Sequence, residues 1–441
     1  MVAATEKQLL CAGCQQAIDQ EHPQITCPRC QLPYHRACWE EGGCRTDGCE
    51  GAESTLSEIL HAEVPPQAGP ESVLANPFIP WLIGGAIAVI LALTAIIALV
   101  QGVPPKTVLI IGVVMAALTF DYVNGMHDAG NAIATVISTR VLTPITALIM
   151  AAVLNLLGAM IHAGVAASIA TKFANVQPHD PHQITLVMIL CGLIGASVWS
   201  YLTASWGLPV STSHSLFGGL IGVFLIGHVP LNMKYLGQIG MWMVLAPVLA
   251  FSAGWLLMVA LMWMFRHVTP HKINTHFRIL QIFSSAMMAF SHGSNDAQKA
   301  MGIITMALVS GGFITSQAGG VEVPLWVKAS CALVIALGTG YGGMRVIQTL
   351  GHKIIKLAPV HGFAAETVAA ATIQLVTFLK IPISTTHVIS SSILGIGASK
   401  RLSAVRWGVA ANIVVAWVFT IPTCAMAGAL LYALVRLCGA H

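Results

Sequence analysis

Charge is scarce in this chain of 441 residues: Asp, Glu, Lys and Arg make up 9% of it, against 56% hydrophobic residues. Soluble domains carry about a quarter charged residues, so a water-soluble main body is excluded. A mean hydropathy of +0.78 over this length places most of the chain in lipid. Acids are rarer still beyond residue 75, where only Asp121, Asp128, Asp180, Asp296, Glu322 and Glu366 occur. The opening MVAATEKQLLCAGC lacks the basic segment and apolar run of a signal peptide. Basic residues are few at the start, with four Lys/Arg against eleven Asp/Glu in residues 1–75, whereas the remainder holds 17 against six. Two differently built regions are therefore joined. The basic excess of the larger one reads as the charge asymmetry of membrane loops and implies no nucleic-acid partner.

Seven of the eleven cysteines fall between Cys11 and Cys49. The others (Cys191, Cys331, Cys424, Cys438) lie in apolar segments and read as small buried hydrophobes. Cys11, Cys14, Cys27, Cys30, His35, Cys38, Cys44 and Cys49 supply eight ligands, enough for two structural zinc ions in tetrahedral sites. Residues 11–50 hold few large apolar side chains, so metal would provide the folding free energy. A disulfide knot is the alternative in an oxidising compartment, and a catalytic zinc would need an open coordination position. The segment CPRCQLPYHRACWEEGGC resembles the RING-like treble of prokaryotic zinc domains. That resemblance implies interleaved sites, with Cys11, Cys14, His35 and Cys38 on one ion and Cys27, Cys30, Cys44 and Cys49 on the other. It also suggests a ubiquitin-type ligase, for which nothing else in the chain speaks.

An all-α polytopic membrane protein is expected beyond this small zinc-stabilised domain. The organisation reads as a RING-like zinc domain (1–51), an acidic linker (52–77), an extra transmembrane helix (78–104), a first repeat (105–265), a basic cytoplasmic loop (266–278) and a second repeat (279–441). Apolar runs are expected to cross or enter the bilayer near 78–100, 107–123, 145–170, 184–206, 213–229, 238–265, 279–291, 300–318, 326–344, 362–379, 386–398 and 407–436. That is ten to thirteen spans or half-spans. Several are interrupted by Gly, Pro and polar residues, which lipid tolerates only where protein or water satisfies the backbone. Basic clusters at 266–278, 345–356 and 400–406 mark the cytoplasmic side of a cell (inner) membrane, with the zinc domain on that side.

Two motifs are each written twice. GMHDAGNA (125–132) returns as GSNDAQKA (293–300), and PVSTSH (209–214) returns as PISTTH (382–387). Two motifs in the same order argue for duplication. Duplicated halves with interrupted apolar segments point to a secondary transporter whose site lies between the repeats, and an inverted relation of the halves is expected. Pro209 and Pro382 should break a helix, leaving Ser211, Thr212, Ser384 and Thr385 where a new one starts. Free N–H donors, a positive dipole end and hydroxyls suit a tetrahedral oxyanion without any Arg; plain helix capping is the competing account.

Of the six acids, Asp180 and Glu322 fall in polar loops, and the other four lie in apolar surroundings. A buried carboxylate in a membrane is a functional candidate. Asp128 and Asp296 sit in the repeated motif and would bind a coupling cation or carry a proton. Asp121 and Glu366 have no acidic counterpart in the other half. His127, His214, His292 and His387 flank the motifs, as proton carriers or as packed neutral rings.

GMHDAGNAIATVISTRVLTP, FSHGSNDAQKAMGIITMAL and GFAAETVAA leading into PISTTH resemble the signatures of the PiT family of inorganic phosphate transporters, and the likeness covers nearly all of 105–436. It implies symport of phosphate with protons or sodium. It implies a phosphate site at Ser211, Thr212, Ser384 and Thr385, and cation sites at Asp128, Asn131, Asp296 and Asn295. Sodium-coupled members tend to carry Asn three residues after the motif Asp in both halves. Here the first half has Asn131 and the second has Lys299. A Lys299 ammonium paired with Asp296 would fill one sodium position and favour protons. Phosphate could travel as a metal–phosphate complex; sulfate or another oxyanion on the same scaffold, or a transporter-derived sensor signalling through the zinc domain, are the rival functions. A homo-oligomer and a cytoplasmic partner of the zinc domain are left open.

Overall fold

The computed structural model describes residues 11, 24–26, 33–35, 104–174, 184–315 and 320–438. The linker, the span at 78–100, Asp180 and the ligands Cys14, Cys27, Cys30, Cys38, Cys44 and Cys49 lie outside the described residues. The chain divides into two compact units, Met1–Ala68 and Gly69–His441. In the first, β1 (Gln24–Thr26) pairs antiparallel with β2 (Pro33–His35), with Gln24 opposite His35 and Thr26 opposite Pro33. Cys11 is buried.

The second unit is helical. The first half runs α1 (Pro105–Ser138), α2 (Pro144–Ile161), α3 (Gly164–Lys172), α4 (Leu186–Trp206), α5 (Thr212–Ile226) and α6 (Met233–Met264). The second runs α7 (Pro270–Ser310), α8 (Leu325–Tyr341), α9 (Met344–Gln348, continued by a π turn to Lys353), α10 (Pro359–Phe378), α11 (Thr385–Lys400) and α12 (Trp407–Leu437). Each half thus repeats one order: a long motif-bearing helix, a medium helix, a short one, another medium helix, a helix starting at the Ser-Thr motif, and a long final helix. Pro105, Pro144 and Pro270 occupy first helical positions, where a missing N–H costs nothing.

Among the described residues, five helices are long and apolar enough to cross a membrane, or six if α8 and Met344–Lys353, bent by 63°, form one broken span. The protein is therefore multi-pass. The 41-residue α7 is also long enough, but His292, Asp296 and Lys299 in its middle lower its hydropathy. Exposed apolar stripes such as Ile145, Ile149, Val153 and Leu157 on α2 recur every four residues and suit a lipid-facing surface.

Several sequence boundaries are corrected. The repeated aspartate motifs do not interrupt their helices: α1 runs through 107–138, and the expected span 279–291 and the part of 300–318 up to Ser310 lie on one helix, because the motif's polar groups find partners on neighbouring helices. The expected span 145–170 breaks at His162–Ala163 between α2 and α3. The segment 407–436 is one helix with Pro422 inside it. The basic loop 266–278 is mostly the first turns of α7, which Pro270 starts.

Helices α1 and α7 run antiparallel: Arg278 Nη2 donates to the Arg140 carbonyl (2.8 Å) and Ser285 Oγ to that of Ala132 (3.1 Å). Ser138 joins the same end to Gly351 (2.5 Å), and the Arg406 N–H reaches Ile354 O (3.1 Å). Arg140, Arg278, Lys353, Lys356 and Arg406 therefore gather at one end of the bundle.

The halves interlock by exchange. At Gly125 of α1 an added Cβ would stand 2.3 Å from Ile335 O of α8, and at Gly293 of α7 one would stand 2.2 Å from Asn155 O of α2. Likewise a Cβ added at Gly222 of α5 would stand 2.0 Å from Ala425 O of α12, and one at Gly395 of α11 would stand 2.1 Å from Phe251 O of α6. Each contact in one half has its counterpart with the partners exchanged. Two apolar cores result. One takes in Phe120, Leu216 and Ile303, the other Ile133, Ile373 and Ile389. The polar motif residues of α1 and α7 lie in the layer between them.

A methyl at the α7–α2 crossing has no room, and overpacking a fitted interface costs about 1–3 kcal/mol. Gly293→Ala is expected to lower the unfolding temperature in detergent. Gly112→Ala, where nothing lies within 4 Å of the added carbon, should match or exceed wild type.

Candidate functional site

Both PxSTxH motifs end in helix starts. The Ser211 hydroxyl caps α5 by accepting from the His214 N–H (3.2 Å), and that of Ser384 caps α11 by accepting from the His387 N–H (3.2 Å). The two serines thus serve as caps, and the threonines behind them carry the wider connections. Both starts are buried in the polar layer.

Asp128 joins them. Thr212 donates to its Oδ2 (3.0 Å) and Thr386 of the other half to its Oδ1 (3.2 Å). Asn131 Nδ2 donates to Thr386 Oγ1 (3.0 Å) and Thr385 Oγ1 (3.3 Å). Thr385 in turn donates to Asp296 Oδ2 (3.3 Å). Residues over 250 positions apart in sequence are thereby tied into one network. Ser213 donates to the Ile383 carbonyl (2.9 Å), locking the start of α5 to the loop that precedes α11.

Each aspartate has a basic companion. His127 Nδ1 lies 2.7 Å from Asp128 Oδ1, its other nitrogen 3.2 Å from Leu208 O. Lys299 Nζ lies 2.7 Å from Asp296 Oδ1, both side chains at 0% exposure. His292 stands 3.5 Å from Asp296 and bonds Asn155 Oδ1 (3.0 Å) through its other nitrogen. Among the described residues, Asp128, His292 and Asp296 bring ligand atoms within 4.8 Å of one another. An unpaired charge here would be prohibitive; the Lys299 ammonium stands on Asp296, and Asp128 accepts from the Thr212 and Thr386 hydroxyls.

The remaining candidates separate from this centre. Asn295 turns away, donating to Thr377 Oγ1 (2.9 Å) and accepting from the Ile383 N–H (3.5 Å), so it holds the loop before α11. Glu366 forms a second network: Thr135 and Ser284 donate short bonds to it and Gln281 a longer one (3.4 Å). Asp121 is buried two turns before Asp128, with no hydrogen bond to either carboxylate oxygen. Glu322 is exposed in a loop. His214 and His387 pack edge to face (ring centroids 4.4 Å), and His387 stacks on Trp417 (3.8 Å). Thr386, Asn155 and the Thr135–Ser284–Gln281 shell are not among the residues the sequence singles out. Only Thr386 had a signal there, as the second Thr of PISTTH.

The model of the phosphate transporter family matches residues 124–428, which contain every group of this network. The chain belongs to the phosphate transporter family. The transporter is 43% identical over 329 residues to a protein of Bacillus subtilis named "Probable low-affinity inorganic phosphate transporter", covering 74% of this chain and 96% of that one. A Mycobacterium tuberculosis (H37Rv) protein of the same name is 40% identical over 336 residues, covering 76% and 79%. A solved structure titled "The sodium-dependent phosphate transporter" superposes on the transporter with a TM-score of 0.68 at 26% identity, covering 75% of this chain and 99% of that one. The family and the named relatives are transporters, not enzymes.

The Asp296–Lys299 pair offers a direct check. Removing one member of a buried ion pair costs about 3–5 kcal/mol, because the other charge is stranded. Asp296→Asn should lower the thermal midpoint sharply, and Asp296→Asn with Lys299→Met should recover much of the loss. Equal melting of both variants would mean the pair is not an interacting unit.

Proposed function

We propose that this chain imports inorganic phosphate across a cell membrane in symport with protons. The observation that carries the reading is the meeting of two helix starts, α5 and α11, on one buried carboxylate. As long as Asp128 is ionised it accepts from Thr212 and Thr386. A proton on Asp128 weakens those bonds and frees two hydroxyls beside two positive helix ends. Cation and anion then bind cooperatively, since each favours the same arrangement. Thr212 and Thr385, with Ser211 and Ser384 as caps that keep a hydroxyl hydrogen to donate, form the phosphate site. Asp128, Asn131 and Asp296 serve coupling, with Asn295 fixing the loop and Asp121 and Glu366 as further carboxylates along the path.

Proton over sodium rests on Lys299, whose ammonium already occupies the Asp296 carboxylate. The relatives' names support phosphate. The Asp128–His292–Asp296 trio also suits the metal of a metal–phosphate complex, a second form of the same substrate. The common helix order, the exchanged glycine contacts and antiparallel α1 and α7 support two duplicated halves of inverted orientation. The basic end of the bundle reads as cytoplasmic. For the N-terminal domain, the β1–β2 pair brackets Cys27 and Cys30 in sequence and ends at His35, the layout of a zinc knuckle. We assign it two structural zinc ions and a cytoplasmic docking or regulatory role.

Reconstituted protein should take up radiolabelled phosphate under an imposed pH gradient, with and without added magnesium, and Asp128→Asn should abolish uptake. A sodium gradient alone should drive none. Sulfate uptake exceeding that of phosphate would overturn the substrate. Elemental analysis should find about two zinc atoms per chain, falling in Cys27→Ser. A metal-free, folded protein would refute the zinc assignment.

A further inference from the structure

Among the described residues the central layer contains no arginine, and its one lysine is consumed by Asp296. Two other cations, Arg345 and Lys380, stand close to the same depth, and both are exposed. Lys380 comes three residues after Thr377, which bonds Asn295, the neighbour of Asp296. It lies against Gly164, where an added Cβ would be 3.0 Å from the lysine Cγ. The next residue, Val165, is held by Gln298 (2.8 Å), two positions beyond Asp296 along α7. Arg345 precedes Val346, whose Cγ1 would lie 3.2 Å from a Cβ added at Gly130, two positions beyond Asp128 along α1. Because α1 and α7 are antiparallel, Arg345 lies on the basic-end side of the polar layer and Lys380 on the far side.

An exposed charge at that depth of a bilayer does not tolerate acyl chains; it needs water. The two positions therefore mark aqueous approaches, one from each face. Their placement is systematic. Aligning PVSTSH with PISTTH matches Lys380 to Gly207. Both have left-handed backbones, φ 61° and 70°. Arg345 is the second residue of α9, as Val165 is of α3. Gly207 lies against Arg345, its added Cβ 3.1 Å from the arginine Cβ, as Gly164 lies against Lys380. Each crossing thus joins a loop before a Ser-Thr helix to the short helix of the other half, and each holds one cation. Both cations come from the second half, and the exchanged packing delivers them to opposite sides.

Helix ends favour positive charge, and Arg345 does donate to the Ser205 carbonyl at the end of α4. That alone does not explain Lys380. A left-handed residue after a helix is most often glycine, as at Gly207; Lys380, like Arg140 and His228, holds that less favourable conformation without being glycine.

We propose that Arg345 and Lys380 are anion-capture residues, each the first fixed positive charge that a tetrahedral oxyanion meets on its own side of the central site. The proposal rests on the transport reading and adds entry subsites to it. Each lies a short loop away from a Ser-Thr helix start, so the anion passes from a single ammonium or guanidinium to the hydroxyls and N–H groups of α5 and α11. Capture of this kind raises local anion concentration and falls with ionic strength.

The test uses the full chain in proteoliposomes. Arg345→Cys and Lys380→Cys should react with a membrane-impermeant, anionic thiol reagent faster than wild type, from opposite faces, and inorganic phosphate should slow both. No reaction above wild type, reaction from one face only, or no slowing by phosphate would each overturn the proposal. In flux measurements Lys380→Gly should raise KM for phosphate entering from the side away from the basic end about tenfold, with Vmax within about twofold. It should melt no lower than wild type, because glycine relieves the left-handed backbone. Lys380→Arg should keep the wild-type KM. An unchanged KM in Lys380→Gly would reduce Lys380 to a helix-end residue. Wild-type protein that moves no phosphate would count against the transport reading alone, since labelling and its slowing by phosphate need no flux.

Discussion

The central layer answers to one constraint: the two motif carboxylates, buried among apolar helices, must be met by groups the protein itself supplies. Asp128 and Asp296 meet it with His127, Lys299 and His292 and with the hydroxyls of Thr212, Thr385 and Thr386. Those hydroxyls can reach only because two helices begin at that depth. The breaks at 207–211 and 379–384 arise from the need to bring polar termini to the charge. The loop before α5 is buried in part because His127 and Trp417 take up the Leu208 and Pro209 carbonyls (3.2 and 2.9 Å). Backbone irregularity and polar side chains thus satisfy one another in a layer between two apolar cores.

Exchanged packing of the halves makes this layer possible. Glycine at each crossing lets backbones approach closely, the usual means of helix association where lipid removes the hydrophobic drive between helices. With α5 seated on α12 and α11 on α6, each Ser-Thr start is anchored by the other half. A displacement of either half is therefore felt at both starts.

Much of this was legible in the sequence because the chemistry is rare there. Six acids in 366 residues leave few candidates, and the doubled motifs separate Asp128 and Asp296 from Asp121 and Glu366. The helix starts were legible from Pro-x-Ser-Thr, since proline fixes the break and the hydroxyls cap the new helix. Continuity of α1 and α7 through their motifs was not. A polar run inside an apolar one reads as an interruption, and only the partners on α2, α5, α10 and α11 show that the backbone need not yield. The cap role of Ser211 and Ser384, as against the bridging role of Thr386, depends on side-chain direction within one turn. In the sequence Arg345 reads as part of a cytoplasmic basic cluster. Its distance from the membrane surface is a matter of the helix bend after Tyr341, which hydropathy does not record.

The Glu366 network carries a further implication. By the motif offsets, Glu366, Thr135 and Ser284 correspond to Leu193, Ile303 and Ala116 in the other half, and all three of those are buried in an apolar core. On the proposed transport path, one of the two matched arms holds an ionisable group here, and the other holds only hydrocarbon. The free-energy profile along the path is consequently lopsided. Detailed balance forbids such skew from altering where the gradients come to rest, but it lets loading and unloading proceed at different speeds. On that reading the direction-dependent kinetics would reside in three side chains rather than in the topology.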